Sequence, residues 1–162
     1  MDRLILLRHG KAEADAPSGQ DFDRGLTGRG RSDVTLVARK LAESGQAPDL
    51  ALVSPAARTK ETWEAAASLF PGAQVEWAPV LYHIDPAGIL ELARAQHAHT
   101  VMVVGHNPGL GELAASLARK AGSIGFPGFP TGAAAIIRFD WTDPRPSLQF
   151  ELYTPKGLGG GA

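Results

Sequence analysis

Short apolar runs alternate along the chain with longer stretches whose apolar residues recur every three or four positions, the order expected of an α/β domain with a mostly parallel sheet. Leu4 to Leu7 reads as a first strand, and after a polar loop Gly30 to Glu43 carries Val34, Val37, Ala38 and Leu41 at helical spacing until Gly45 ends the helix. Leu50 to Val53 forms a second strand. Ser54-Pro55 follows as a helix start, because serine can cap and proline tolerates the first helical position; that helix runs to about Phe70, before Pro71-Gly72. A weaker strand near Val75 leads to a second cap-plus-proline start, Asp85-Pro86, and a helix to about Ala95. Thr100 to Val104 is a fourth strand and gives way through Gly105-His106 to a third such start, Asn107-Pro108. Beyond a Gly- and Pro-rich loop from Gly122 to Gly132, the stretches Gly132 to Phe139 and Ser147 to Tyr153 pair as an antiparallel hairpin at one edge of the sheet, joined by Asp140 to Pro146. The pattern holds no internal repeat. It implies one domain over 1–156 and a flexible Gly-rich tail over 157–162.

Ligands in open α/β sheets collect at the carboxyl ends of the strands, where helix N-termini offer free N–H groups and partial positive charge. Three strand ends here deliver basic side chains to that edge: Arg8 and His9 after the first, Arg58 after the second and His106 after the fourth. Arg58 falls in the first turn of its helix, where the helix dipole disfavours a cation by a few tenths of a kcal/mol up to about 1 kcal/mol. A bound phosphate reverses the sign of that penalty. Arginine supplies planar bidentate donors for phosphate oxygens, and a neutral histidine can act as a nucleophile, so the four groups suit a dianionic phosphoryl group. Phosphoryl transfer fits better than acyl transfer, since no Gly-x-Ser-x-Gly elbow is present, and no Gly-x-x-x-x-Gly-Lys-Ser/Thr loop either.

Composition narrows the partners. The chain has 162 residues, 44% of them hydrophobic, enough for one sizeable core. Its formal net charge of -1 comes from 16 basic and 17 acidic side chains without a dense Lys/Arg block, which argues against nucleic acid. Cysteine is absent, so no disulfide or thiolate metal site can form, and no carboxylate cluster asks for a metal. The apolar stretch Leu4 to Leu7 is too short for a signal-peptide core and no segment approaches membrane-spanning length, so the expectation is a cytoplasmic protein without a membrane partner.

Three segments carry a resemblance. Leu7-Arg8-His9-Gly10, Ser54-Pro55-Ala56-Ala57-Arg58-Thr59-Lys60-Glu61-Thr62 and Val104-Gly105-His106-Asn107-Pro108 resemble, in order and spacing, the signature segments of the histidine phosphatase superfamily, which includes phosphoglycerate mutases. Within it, the short length, Asp23-Arg24-Gly25-Leu26-Thr27-Gly28-Arg29-Gly30 and Leu81-Tyr82 look most like the SixA-type phosphohistidine phosphatases. The resemblance implies a phosphoglycerate mutase-like, three-layer α/β/α sandwich, His9 as phosphoryl acceptor, and Arg8, Arg58 and His106 as the phosphate pocket, with Arg24 as an additional pocket arginine. It further implies double displacement without metal or cofactor: Nε2 of neutral His9 attacks phosphorus in line, and water then hydrolyses the phosphohistidine.

One part expected from the resemblance is missing. Many relatives carry a glutamate after the third strand as general acid, whereas between Val75 and Gly88 the carboxylates are Glu76, on the strand, and Asp85, better read as a helix cap. Asp85, His83 or a water remain as proton donors. An imidazole leaving group, with an ordinary pKa of about 6.5, leans on an enzyme acid less than an alkoxide does, which favours a phosphoramidate substrate. Nor does the stretch from Thr62 to Val75 hold an insertion long enough for a lid, so a protein-borne phosphohistidine can enter. The reading is therefore a phosphohistidine phosphatase acting on a phosphohistidine-bearing protein, such as a histidine phosphotransfer domain, and releasing inorganic phosphate. Alternatives are a small-molecule phosphomonoesterase of the same fold, taking a small phosphate ester, and a catalytically silent phospho-ligand-binding module. His97 and His99 read as an exposed helix-to-strand turn, Trp63 and Trp77 as core or partly buried packing, Trp141 as part of the hairpin turn, and Asn107 as a helix cap facing the pocket.

Overall fold

The computed structural model describes residues 1–141 and 147–161. Its strands are β1 (Arg3–Arg8), β2 (Leu50–Val53), β3 (Gln74–Trp77), β4 (Thr100–Gly105), β5 (Ala134–Asp140) and β6 (Ser147–Tyr153); its α-helices are α1 (Gly28–Glu43), α2 (Ala57–Ala67), α3 (Pro86–Arg94) and α4 (Gly109–Lys120). The strands form one sheet in the order β3-β2-β4-β1-β5-β6. The first four run parallel, and β5 and β6 close the far edge antiparallel, as the hairpin pattern implied. Most of the connection Asp140 to Pro146 lies outside the described residues.

Parallel strands need both faces covered, and the two sets of apolar side chains show how. Leu4, Leu6, Val101 and Val103 pack with Ile89, Leu110, Leu113 and Leu117 from α3 and α4, while Ile5, Leu7, Met102 and Val104 pack with Val34, Val37, Leu41 and Trp63 from α1 and α2. Successive residues of one strand thus serve opposite layers, which makes the three-layer α/β/α sandwich. Each fully buried leucine contributes about 1.5–3 kcal/mol of apolar burial. Among the described residues no helix is long and apolar enough to cross a membrane.

The helix starts refine the sequence reading. The Asp85 side chain accepts from Gly88 N and caps α3 as expected. Thr27 caps α1 through Gly30 N, so that helix begins at Gly28, two residues before the expected start at Gly30. Ser54-Pro55 does not start α2: the helix begins at Ala57 without a side-chain cap, Thr59 Oγ1 instead donates to Ser54 O at 2.7 Å, and the Ser54 hydroxyl is drawn to His106. One further expectation is corrected. Trp77 is not packing but 47% exposed, because β3 is an edge strand with all of its residues exposed. Near the end of the chain Lys156–Leu158 form a 3-10 turn, Gly160 N bonds Pro155 O, and Gly161 N donates to Asp33 at 3.0 Å, giving a nearly buried carboxylate a backbone donor.

Candidate active site

Register brings the basic residues together. In β1 and β4, Leu7 pairs with Val104 and Arg8 with Gly105, so His9 and His106 leave adjacent strands at the same level. Their ring centroids lie 5.4 Å apart. Val53 of β2 also pairs with Val104, which sets Ser54 beside them, and Arg58 follows as the second residue of α2. The turn after β1 is tied to that helix: Gly10 N donates to Thr62 Oγ1 at 3.1 Å, and the same hydroxyl donates to Arg58 O at 2.7 Å. Glycine is required at position 10, since a Cβ there would stand 2.6 Å from Gly30 O of α1 and 2.9 Å from Val34 Cγ2.

Hydrogen bonding fixes the state of the first imidazole. His9 Nδ1 lies 2.7 Å from Gly10 O, and a carbonyl only accepts, so Nδ1 carries the proton and Nε2 of the neutral ring keeps its lone pair. Burial holds His9 down at about 4, with the Arg58, Arg8 and Arg24 charges acting the same way and the Gly10 carbonyl opposing them. His106 is pushed to about 3 by burial and by Arg58. Its Nε2 lies 2.8 Å from Ser54 Oγ, and its buried Nδ1 has no partner within the described residues. Arg8 donates from Nη1 to Phe129 O at 3.0 Å, and Asn107 Nδ2 donates to the same carbonyl, so the 122–132 loop fixes this guanidinium. The Nε atoms of Arg8 and Arg58 are likewise buried without a partner, so three of the side chains gathered here keep an unpartnered nitrogen.

Asp21 escaped the sequence reading. It lies in the 3-10 turn Asp21–Asp23, where its backbone carbonyl and Oδ2 take Arg58 Nη1 and Nη2 at 3.0 and 3.1 Å. Oδ2 also accepts from Tyr82 OH at 2.6 Å, and Oδ1 from Arg24 Nε at 3.0 Å. The Tyr82 hydrogen bond, then those from Arg24 and Arg58, hold this carboxyl well below its ordinary range. Arg24 additionally donates to Glu13 O at 2.8 Å, so it borders the pocket through Asp21. The nearest sequence signal is the segment that opens at Asp23-Arg24, two residues beyond Asp21.

The suggested proton donors sit to one side. His83 and Asp85 line a cleft of about 420 Å³ that also receives His106, Asn107 and Glu112, the last another carboxylate the sequence reading passed over. One Asp85 oxygen is spent on Gly88 N at 2.7 Å. His97 and His99 stand at the opposite end of the sheet, where His99 Nδ1 pairs with Asp2 Oδ2 at 2.8 Å. Among the described residues no group of three or more His, Asp or Glu side chains is arranged to hold a metal ion.

A mostly parallel α/β sheet with two histidines and two arginines at its carboxyl edge is an arrangement suited to a phosphoryl group. The chain belongs to the histidine phosphatase superfamily, branch 1, whose family model matches residues 4–85, and its fold is of the SixA type. It is 35% identical over 127 residues to an uncharacterized chloroplastic protein of Arabidopsis thaliana, a match spanning 71% of this chain and 58% of that protein. Among solved structures it resembles a protein of Agrobacterium tumefaciens carrying the provisional name phosphohistidine phosphatase SixA, with 34% identity, a TM-score of 0.76, and coverage of 90% of this chain and 96% of that one. It also resembles the protein histidine phosphatase SixA solved with tungstate, at 26% identity and a TM-score of 0.73 over 96% of this chain and 99% of that one.

Proposed function

We propose that this chain is a phosphohistidine phosphatase that removes phosphoryl groups from a protein histidine through a covalent intermediate on His9. The observation that carries the reading is the His9 ring itself, anchored at Nδ1 on Gly10 O and flanked by Arg8, Arg58 and His106, with a bare Nε2. That nitrogen attacks phosphorus in line; the substrate N–P bond breaks, and its electron pair stays on the leaving imidazole, which takes a proton. Water then attacks the phosphohistidine, the His9 N–P bond breaks, and inorganic phosphate leaves. Arg8 and Arg58 bind the equatorial oxygens, and His106 donates to the same group as charge builds in the transition state. These side chains supply the positive charge that a metal ion supplies at other phosphoryl-transfer sites, so the reaction needs none.

The leaving group favours a phosphoramidate. Asp21 is saturated by two arginines and a tyrosine, and Asp85 is engaged as a helix cap, so neither stands ready to protonate an alkoxide, which leaves His83 and Glu112 in the cleft that receives His106. An imidazole leaves with less help. SixA with bound tungstate, an oxyanion shaped like phosphate, supports a pocket of this class. The test compares wild type and His9→Ala on a phosphohistidine protein, a panel of sugar and nucleotide phosphates, and an aryl phosphate. The expected result is preference for the phosphohistidine protein and loss of turnover in the variant. Preference for a small ester would overturn the substrate, and full activity in His9→Ala would overturn the nucleophile.

A further inference from the structure

Asp21 places a carboxylate at the rim of a site built for an anion. Its carboxylate and carbonyl cover the outer edge of the Arg58 guanidinium, Nη1 and Nη2, and leave Nε without a partner. Its other oxygen holds Arg24, with Nη2 at 2.9 Å, and the Tyr82 hydroxyl locks the arrangement while the Tyr82 ring lies 5.5 Å edge-on from His106 and 6.0 Å from the Arg58 guanidinium. The charges around the paired histidines can be counted. Arg24 and Arg58 carry two positive charges bonded to the one negative charge of Asp21, and Arg8 adds a third positive charge beside His9, while Asp85 and Glu112 lie farther along the cleft that reaches His106. A phosphoryl dianion carries -2. Without Asp21 the Arg24–Arg58 end of the pocket would be one positive charge richer, which favours retention of an anionic product.

We propose that Asp21 is the pocket's built-in counter-anion: a residue that offsets the charge of Arg58 and Arg24, which limits how tightly inorganic phosphate is retained. The proposal rests on the phosphatase reading of this pocket. A purely structural salt bridge makes the opposite forecast, because loosening the loop would weaken anion binding.

The experiment measures phosphate binding to the intact protein by calorimetry, with the fold of each variant checked by circular dichroism. Asp21→Asn removes the charge at nearly the same size, at the cost of one acceptor oxygen, and its dissociation constant for phosphate is expected to fall roughly three- to tenfold while kcat drops as product release slows. Asp21→Glu restores the charge and is expected to bind phosphate close to wild type. Asp23→Asn changes the same charge two residues away, on a carboxylate that bonds Ser18 and not the arginines, and is expected to change nothing. Unchanged or weaker phosphate binding in folded Asp21→Asn would overturn the proposal, as would equal tightening in Asp23→Asn. Absence of phosphate binding in the wild type would overturn the pocket reading itself.

Discussion

His99 and His106 bracket a single strand, β4, and their surroundings have nothing in common. At the amino end, the His99 side chain is 89% exposed and touches Asp2 across open solvent. At the carboxyl end, His106 is buried against a second histidine, with Ser54 on one nitrogen and no partner on the other. Residue type is the same and the distance along the chain is seven positions; what differs is which end of a parallel sheet each one meets. At the carboxyl end, β1, β2 and β4 all open into helix starts or turns, and every one of them turns a basic group inward. At the amino end Arg3 and Arg138 face each other across β1 and β5, but Arg3 donates to Gly45 O and Arg138 pairs with Glu151, so neither guanidinium is turned to a histidine. A neutral, desolvated imidazole beside guanidinium groups can take part in phosphoryl transfer, and a solvated one paired to a surface carboxylate cannot.

Removing each histidine in turn tests that contrast with the largest expected effect. His106→Ala is expected to lower kcat/KM for a phosphohistidine protein by about 10²–10³, the usual loss for one donor to a developing oxyanion, and His99→Ala to leave it within about twofold. Similar losses in both would show that position on the sheet does not decide the chemistry. A smaller effect lies in titration. By NMR, His9 and His106 are expected to titrate at about 4 and about 3 in the phosphate-free protein, and to move upward when phosphate adds negative charge. The sign carries over to stability: both folded values lie below the ordinary 6.5, so the unfolded chain takes up protons first and stability is lost as pH falls from about 6.5 towards 4. Each histidine is expected to contribute about 1–2 kcal/mol of that loss between pH 7 and pH 5, read as a shift in urea midpoint that flattens in His9→Ala.

The same contrast separates what the sequence could disclose from what it could not. Apolar runs set strand order and layers because alternate residues of β1 and β4 bury on opposite faces, and a strand end followed by a turn is visible in one dimension. Arg8, His9, Arg58 and His106 all lie within such ends or one helical turn beyond them. Asp21 lies in a loop whose apolar pattern is silent, and only the folding of that loop over α2 brings it to Arg58. Ser54 was legible as a helix cap by residue type, yet its hydroxyl is claimed by His106, a partner fifty-two residues away. Phe129 contributes through its carbonyl, which no side-chain pattern reports. Trp77 shows the converse: an aromatic in a strand reads as core until the sheet order makes that strand an edge.

The central claim is that His9 itself carries the phosphoryl group during turnover. Wild type, His9→Ala and His106→Ala would be mixed with a phosphohistidine protein and quenched in alkali, and phosphorylated peptides located by mass spectrometry. The expected outcome is an acid-labile, base-stable phosphoryl group on His9 in wild type, accumulating in His106→Ala if hydrolysis slows more than transfer, and absent in His9→Ala. A phosphoryl group trapped on any other residue, or turnover in His9→Ala at the wild-type rate, would contradict it.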